Sequence, residues 1–262
     1  MSKSKTINQN FYSNLLGKEM AMTIFLPENI DIQQPLPVLY FLHGRSGDED
    51  ILFEAGISEK ADQLISSGEI KPMMIVCPRI ENSRGLNSSK ECSEILNSEN
   101  RIYNVGMYED YLIKELVPFI DQSYHTIQDR KGRYIGGASA GGYAALHNAF
   151  RHQELFCKVG GHMPAIELTL EEEDKPHFKS KEDWEKYDPV HIAGSEDIRS
   201  DFQVYLDAGD KDEGRFYEGC SILNKILKEK GISVQNHLFK GHHNVEYLKT
   251  NIKAYLKFYG RE

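Results

Sequence analysis

The chain has 262 residues, of which 40% are hydrophobic and 27% charged, with a formal net charge of −9. That length accommodates one large domain with a substantial core and is short for two. The negative charge argues against a nucleic-acid partner and against a polybasic membrane patch.

The start, Met1-Ser2-Lys3-Ser4-Lys5-Thr6, is basic but runs into Asn8-Gln9-Asn10 instead of an apolar core, so no secretory signal is expected. No apolar run reaches membrane-spanning length. Cys77, Cys92, Cys157 and Cys220 lack metal or redox spacing and read as free thiols of a cytoplasmic protein.

Residues 20–27 read as an early strand ended by Pro27, and 30–37 as a loop broken by Pro35 and Pro37. Val38-Leu39-Tyr40-Phe41-Leu42 is an unbroken apolar run, as a central parallel strand covered on both faces requires. It runs into His43-Gly44-Arg45. A helix is expected around 58–65 with Ser58 as its N-cap, then a buried strand over 73–78. Residues 80–104 are rich in Asn and Ser and read as a long surface loop. The spacing of Leu112, Ile113, Leu116, Val117 and Ile120 predicts an amphipathic helix over 108–120.

Then comes Gly137-Ala138-Ser139-Ala140-Gly141, between a strand-like segment and an Ala/Leu-rich helical one. This is the pattern of a nucleophile elbow, a turn so tight that a Cβ two residues before or after the serine would clash. Chance supplies such a pentapeptide in about one chain in ten of this length, so it does not decide alone. The glycines fit neither a dinucleotide loop nor a P-loop.

A strand over 156–161 follows. Residues 164–200 break the strand–helix rhythm and read as a small cap inserted in a single domain spanning 1–262; they carry Trp184 and the solvated run Glu171-Glu172-Glu173-Asp174. A strand over 202–207, a helix over 216–230 stopped by Gly231, a last strand over 233–239 and a closing helix over 245–259 complete the chain. This alternation predicts an α/β fold with a mostly parallel sheet, helices on both faces, and function at the carboxyl ends of the strands.

A serine hydroxyl needs a base to take its proton and a carboxylate to orient that base. Asp212, after one strand, and His243, after the last, supply acid and base in the order that α/β-hydrolases use. Asp207 and Asp210 compete for the first role, Asp207 at a strand end that would fix the loop through backbone amides and Asp210 pointing to solvent. His242 competes for the second. An oxyanion hole would draw on the backbone N–H groups of Ala140 and Arg45. His43 and Gly44 in the same turn, with Trp184 in the insertion, are expected to serve substrate binding. No metal or cofactor is expected.

The chain resembles the esterase D, feruloyl esterase and enterochelin esterase group of α/β-hydrolases. The resemblance rests on 11–18, Leu42-His43-Gly44-x-x-Gly47, 115–121, 137–142, Gly209-x-x-Asp212 and Gly241-x-His243-Asn244. It implies an α/β-hydrolase fold, a serine esterase, Asp212 as acid and His243 as base. Leu52 and Val245 stand where many relatives carry tryptophan, which weakens the case for an aromatic platform. The expected substrate is a small acyl ester, with acetyl, short-chain acyl or hydroxycinnamoyl groups and sugars included. An acyltransferase or a non-catalytic binding relative is the alternative, and a homodimer is allowed for.

Overall fold

The computed structural model describes residues 4–27, 34–97 and 100–261. The chain start read for a signal (1–3) and part of the proline loop (30–33) lie outside the described residues. The first half holds β1 (Lys5–Ser13), β2 (Lys18–Leu26), β3 (Val38–Leu42), α1 (Ile51–Glu54), α2 (Ile57–Ser66), β4 (Met74–Pro78), β5 (Ser93–Leu96) and β6 (Ile102–Val105). It continues with α3 (Tyr108–Asp110), a π-helical turn (Tyr111–Leu116) and α4 (Val117–Ser123). The second half holds β7 (Arg133–Ala138), α5 (Ala140–Arg151), β8 (Lys158–His162), α6 (Lys181–Tyr187), α7 (Pro189–Ser195), β9 (Gln203–Gly209), α8 (Tyr217–Glu229), β10 (Ser233–Phe239) and α9 (Val245–Gly260).

Among the described residues the main sheet has eight strands in the order β1-β2-β4-β3-β7-β8-β9-β10. From β4 to β10 neighbouring strands run parallel, and β2 is antiparallel to both β1 and β4. All five residues of β3 are buried. Val38, Tyr40 and Leu42 join the core that includes Ala144 to Leu146 of α5 and Leu223 of α8, while Leu39 and Phe41 join that of Leu64 in α2 and Leu256 in α9. The two-residue period of a strand thus feeds two helical layers from one apolar run.

Four details depart from the sequence reading. β1 was not expected: its exposed and half-exposed residues alternate at the sheet edge, where no second layer demands an apolar run. The helix expected at Ser58 begins at Ile57, with Gly56 at its N-cap in the left-handed region (φ 67°) and Ser58 buried in the first turn. The stretch 80–104 is not simply a surface loop, since Ile80, Ser83, Arg84 and Leu86 are buried and β5 pairs with β6 as a hairpin. Its positions 98 and 99 lie outside the described residues. The amphipathic helix is present but widened at Tyr111–Leu116, just upstream of Pro118, which has no N–H to offer the Lys114 carbonyl.

Residues 164–200 carry a single 3₁₀ turn (Glu172–Asp174) and the helices α6 and α7. Asp188 caps α7 by accepting the N–H groups of Val190 and His191, each at 3.0 Å.

Candidate active site

β7 lies between β3 and β8 and delivers Ser139 at its carboxyl end, one residue before α5. Ser139 sits at φ 55°, ψ −119°, a backbone conformation costly for a residue with a side chain. A Cβ on Gly137 would come 2.5 Å from the Gly141 carbonyl oxygen, and one on Gly141 would overlap the carbonyl oxygens of Leu42 and His43. Hydrogen bonds then lock the turn. The Ser139 N–H donates to the His162 carbonyl, and the Ser139 carbonyl accepts from Tyr143 and Ala165, all at 3.0 Å.

The structure brings Ser139, His243 and Asp212 into one chain of hydrogen bonds. His243 Nε2 lies 2.8 Å from Ser139 Oγ, and His243 Nδ1 lies 2.8 Å from Asp212 Oδ2. Asp212 is buried, and its other oxygen accepts the Gly214 N–H at 2.9 Å. An ionised carboxylate only accepts, so Nδ1 carries a proton and Nε2 faces the serine with its lone pair. That tautomer can take the hydroxyl proton. The Phe216 ring stands edge-on to the imidazole, with centroids 5.1 Å apart.

The competing residues are engaged elsewhere. Asp207 is buried and does not fix its loop through side-chain contacts to amides. Its Oδ2 accepts the Tyr247 and Tyr255 hydroxyls at 2.6 and 2.7 Å, and Oδ1 is 3.3 Å from His162 Nδ1. Asp210 is exposed, as expected, and its Oδ1 also accepts the Gly241 N–H at 3.0 Å, tying the Asp212 loop to the His243 loop. The His242 ring contacts Glu213 at 2.6 Å. Sequence reasoning missed Glu213, whose second oxygen accepts the His243 N–H at 3.2 Å. Its place one residue after Asp212 was the only available signal.

A cavity of about 580 Å³ opens over Ser139. Arg45, Ala140 and His243 line it, with Phe216 on one wall and Ala165, Glu167 and Glu173 of the insertion on another. The Ala140 N–H opens a helix, where first-turn amides have no intrahelical acceptor. Gly44 packs under the serine: a Cβ there would sit 3.3 Å from Ser139 Cβ.

Two residues expected at the substrate lie in the interior instead. His43 is fully buried; its Nε2 accepts the Ile80 N–H at 2.9 Å, so Nδ1 carries the proton and donates to the Gly44 carbonyl at 2.8 Å. Burial lowers its pKa, and the neutral ring braces the turn that presents Arg45. Trp184 is 2% exposed and packs with Leu86, Tyr143 and Phe178 instead of lining the cavity. An indole in a segment that breaks the strand–helix rhythm looks accessible in sequence, but α6 turns it inward.

Charges line the cavity and are backed by a buried ion pair. Arg45 pairs with Glu173 at 2.9 Å and Asp174 at 3.3 Å, Arg84 with Asp174 at 2.7 Å and Glu167 at 3.0 Å, and Arg101 with Glu173 at 3.1 Å. Desolvation pushes the Asp174 carboxyl up to about 6, against the pull of Arg84 and Arg45. Among the described residues no three potential metal ligands converge, and no helix is long and apolar enough to cross a membrane.

A serine on a strained strand-to-helix turn, on a mostly parallel sheet with helices on both faces, defines an α/β-hydrolase. A family model described as "Putative esterase" matches residues 13–259, and the chain belongs to that family. It is similar to an S-formylglutathione hydrolase of Arabidopsis thaliana, with 23% identity over 82% of this chain and 81% of the relative. An endo-1,4-beta-xylanase/feruloyl esterase of Xylanibacter ruminicola is 29% identical over 56% of this chain, which spans only 20% of that longer protein. Among solved structures, a ferulic acid esterase superposes with a TM-score of 0.83 at 23% identity, covering 99% of this chain and 98% of its own.

Proposed function

We propose that this esterase is a serine carboxylesterase hydrolysing small acyl esters through Ser139, His243 and Asp212. The observation that carries the reading is the hydrogen-bond chain from Asp212 through His243 to Ser139, both links at 2.8 Å. In this mechanism His243 Nε2 takes the hydroxyl proton as Ser139 Oγ bonds to the ester carbonyl carbon. The carbonyl electrons move to oxygen, and the Arg45 and Ala140 N–H groups stabilise the oxyanion. Collapse breaks the bond to the alcohol, which leaves with the proton from His243. Water then attacks the acyl-enzyme by the same route and releases the acid.

The cavity of about 580 Å³ supports a small ester and leaves acetyl, short-chain and hydroxycinnamoyl groups in contention, on alcohols or on sugars. The insertion over 164–200 acts as a cap by giving Ala165, Glu167 and Glu173 to the wall.

A fluorophosphonate should label wild type at Ser139 and leave Ser139→Ala unlabelled, with hydrolysis of a p-nitrophenyl ester panel lost in parallel. Undiminished labelling or turnover in Ser139→Ala would overturn the assignment. Product analysis with added alcohols separates hydrolysis from acyl transfer.

A further inference from the structure

Three charges from distant parts of the chain meet on the rim of the Ser139 cavity. Arg45 comes from the turn after β3, Arg101 from the β5–β6 hairpin, and Glu173 from the short turn of the insertion. Glu173 Oε2 lies 2.9 Å from Arg45 Nη1 and 3.1 Å from Arg101 Nη1, so one carboxylate oxygen bridges two guanidinium groups. Arg45 does not depend on Glu173 for its position. Its Nη2 is 3.3 Å from the buried Asp174, which Arg84 holds at 2.7 Å. The Glu173 side chain is 39% exposed and can turn to water without leaving a charge stranded in the interior.

Building on the assignment of Ser139 as nucleophile, we propose that Arg45 and Arg101 form a carboxylate-binding subsite for anionic esters, which Glu173 fills in the free enzyme. Guanidinium groups match a carboxylate through paired N–H donors, and two of them already converge on one here. The exchange is even in charge, because an incoming carboxylate takes the place of the Glu173 carboxylate between Arg45 and Arg101. A neutral ester has nothing to offer in return and leaves the internal pair in place. The cavity that holds Ser139 also holds both arginines, so an ester bonded at the serine can carry its carboxylate to them in either its acyl or its alcohol half.

Two substrate pairs test this and separate the halves. Mono-p-nitrophenyl glutarate against p-nitrophenyl butyrate places the charge in the acyl half; 4-carboxyphenyl butyrate against phenyl butyrate places it in the alcohol half. The readout is the ratio of kcat/KM for the anionic ester to that for its neutral partner. Arg101→Gln should lower this ratio about fivefold, mainly through KM, and Glu173→Gln should raise it by a similar factor, in the arm that carries the subsite. Added salt should erode the wild-type ratio, since the subsite is partly exposed. Ratios that stay constant across the variants in both arms overturn the proposal and leave the three charges as a rim clamp.

Binding without turnover keeps the test independent of the nucleophile. Monomethyl glutarate or 4-carboxyphenyl butyrate, titrated calorimetrically, should bind Ser139→Ala/Glu173→Gln more tightly than Ser139→Ala. Equal affinities for both ligands overturn the subsite. Failure of wild type to cleave even the neutral esters would instead overturn the nucleophile assignment.

Discussion

The floor beneath the cavity and the rim above it are held by different kinds of contact. On the floor, backbone meets backbone. The Lys211 N–H donates to the Gly241 carbonyl at 2.9 Å, the Asp210 N–H to the Phe239 carbonyl at 2.7 Å, and a Cβ on Gly209 would overlap the Gly241 carbonyl oxygen. The loops that carry Asp212 and His243 are therefore laced together with no room to slide. On the rim, side chains meet side chains, with the half-exposed Glu173 between Arg45 and Arg101. Proton transfer tolerates little displacement, and misplacement of about 1 Å can cost ~100-fold. Exposed ion pairs contribute little stability and can exchange partners. The division suits a floor that sets the reaction and a rim that sets what enters.

The sharpest way to break this comparison is at the floor. Asp212→Asn should preserve the fold but present the wrong imidazole tautomer to Ser139, lowering kcat by about 10⁴-fold. His243→Ala should be comparably severe and His242→Ala far milder, because the His242 ring contacts the exposed Glu213 and not the serine. Steady-state kinetics on one p-nitrophenyl ester decides the matter. A mild Asp212→Asn would remove the acid from its assigned role.

Asp207 probes the floor from below. Asp207→Ala strips two tyrosine hydroxyls and His162 of their acceptor in a fully buried cluster. The loss in unfolding free energy should be on the order of 3 kcal/mol, measured by denaturant titration. Well below the melting temperature, kcat should fall much less than in Asp212→Asn. The reverse ordering, severe in kcat and silent in stability, would make Asp207 the working acid.

His177 tests the rim. It lies between Tyr103 of the hairpin and Phe178 of the insertion, its Nδ1 is buried with no hydrogen-bond partner among the described residues, and burial with nearby Arg84 and Arg45 lowers its pKa to about 3. The unfolded chain takes up this proton near the ordinary value of about 6.5 and the folded chain does not. Stability from this group is therefore complete above that value and drains away as pH falls toward 3. At pH 5 the loss should be about 2 kcal/mol relative to pH 7. Asp174, raised to about 6, works in the opposite sense, since the folded state holds its proton more tightly than the unfolded chain. Comparing wild type with His177→Phe removes that background, and the variant should lose less stability on acidification. An identical pH dependence in both proteins would show that His177 is solvated.

These two regions also differ in how much of them could be read from the chain. The floor is written in glycines and strand ends. Gly137, Gly141, Gly209 and Gly241 sit where backbones touch, and the runs ending at Leu42, Ala138 and Phe239 are local signals of strands in one sheet. The rim depends on side chains that meet across more than seventy residues, as Arg101 and Glu173 do, and no local period encodes such a meeting. His43 and Trp184 were misplaced for a related reason: residue type and loop position say what a side chain could do, while burial depends on what later packs over it. Asp210 is exposed as its place in the loop suggested, but only the return of the chain at Gly241 and His243 gives its oxygen, and that of Glu213, an N–H group to accept.

The smallest predicted effect bears on what the floor costs. Ser139 is held at φ 55°, ψ −119°, where a Cβ is crowded and glycine is not. Ser139→Ala and Ser139→Gly both remove the hydroxyl, and both deprive His243 Nε2 of the same partner. They differ in whether the turn must still carry a Cβ. Strain of this kind amounts to roughly 1–3 kcal/mol, and the extra freedom of glycine in the unfolded chain takes back some of it. The glycine variant should therefore unfold at a higher denaturant concentration than the alanine variant, by about 1 kcal/mol, with both inactive toward esters. Equal stabilities, or a more stable alanine variant, would mean that the elbow is relaxed and that the contacts locking it store no strain.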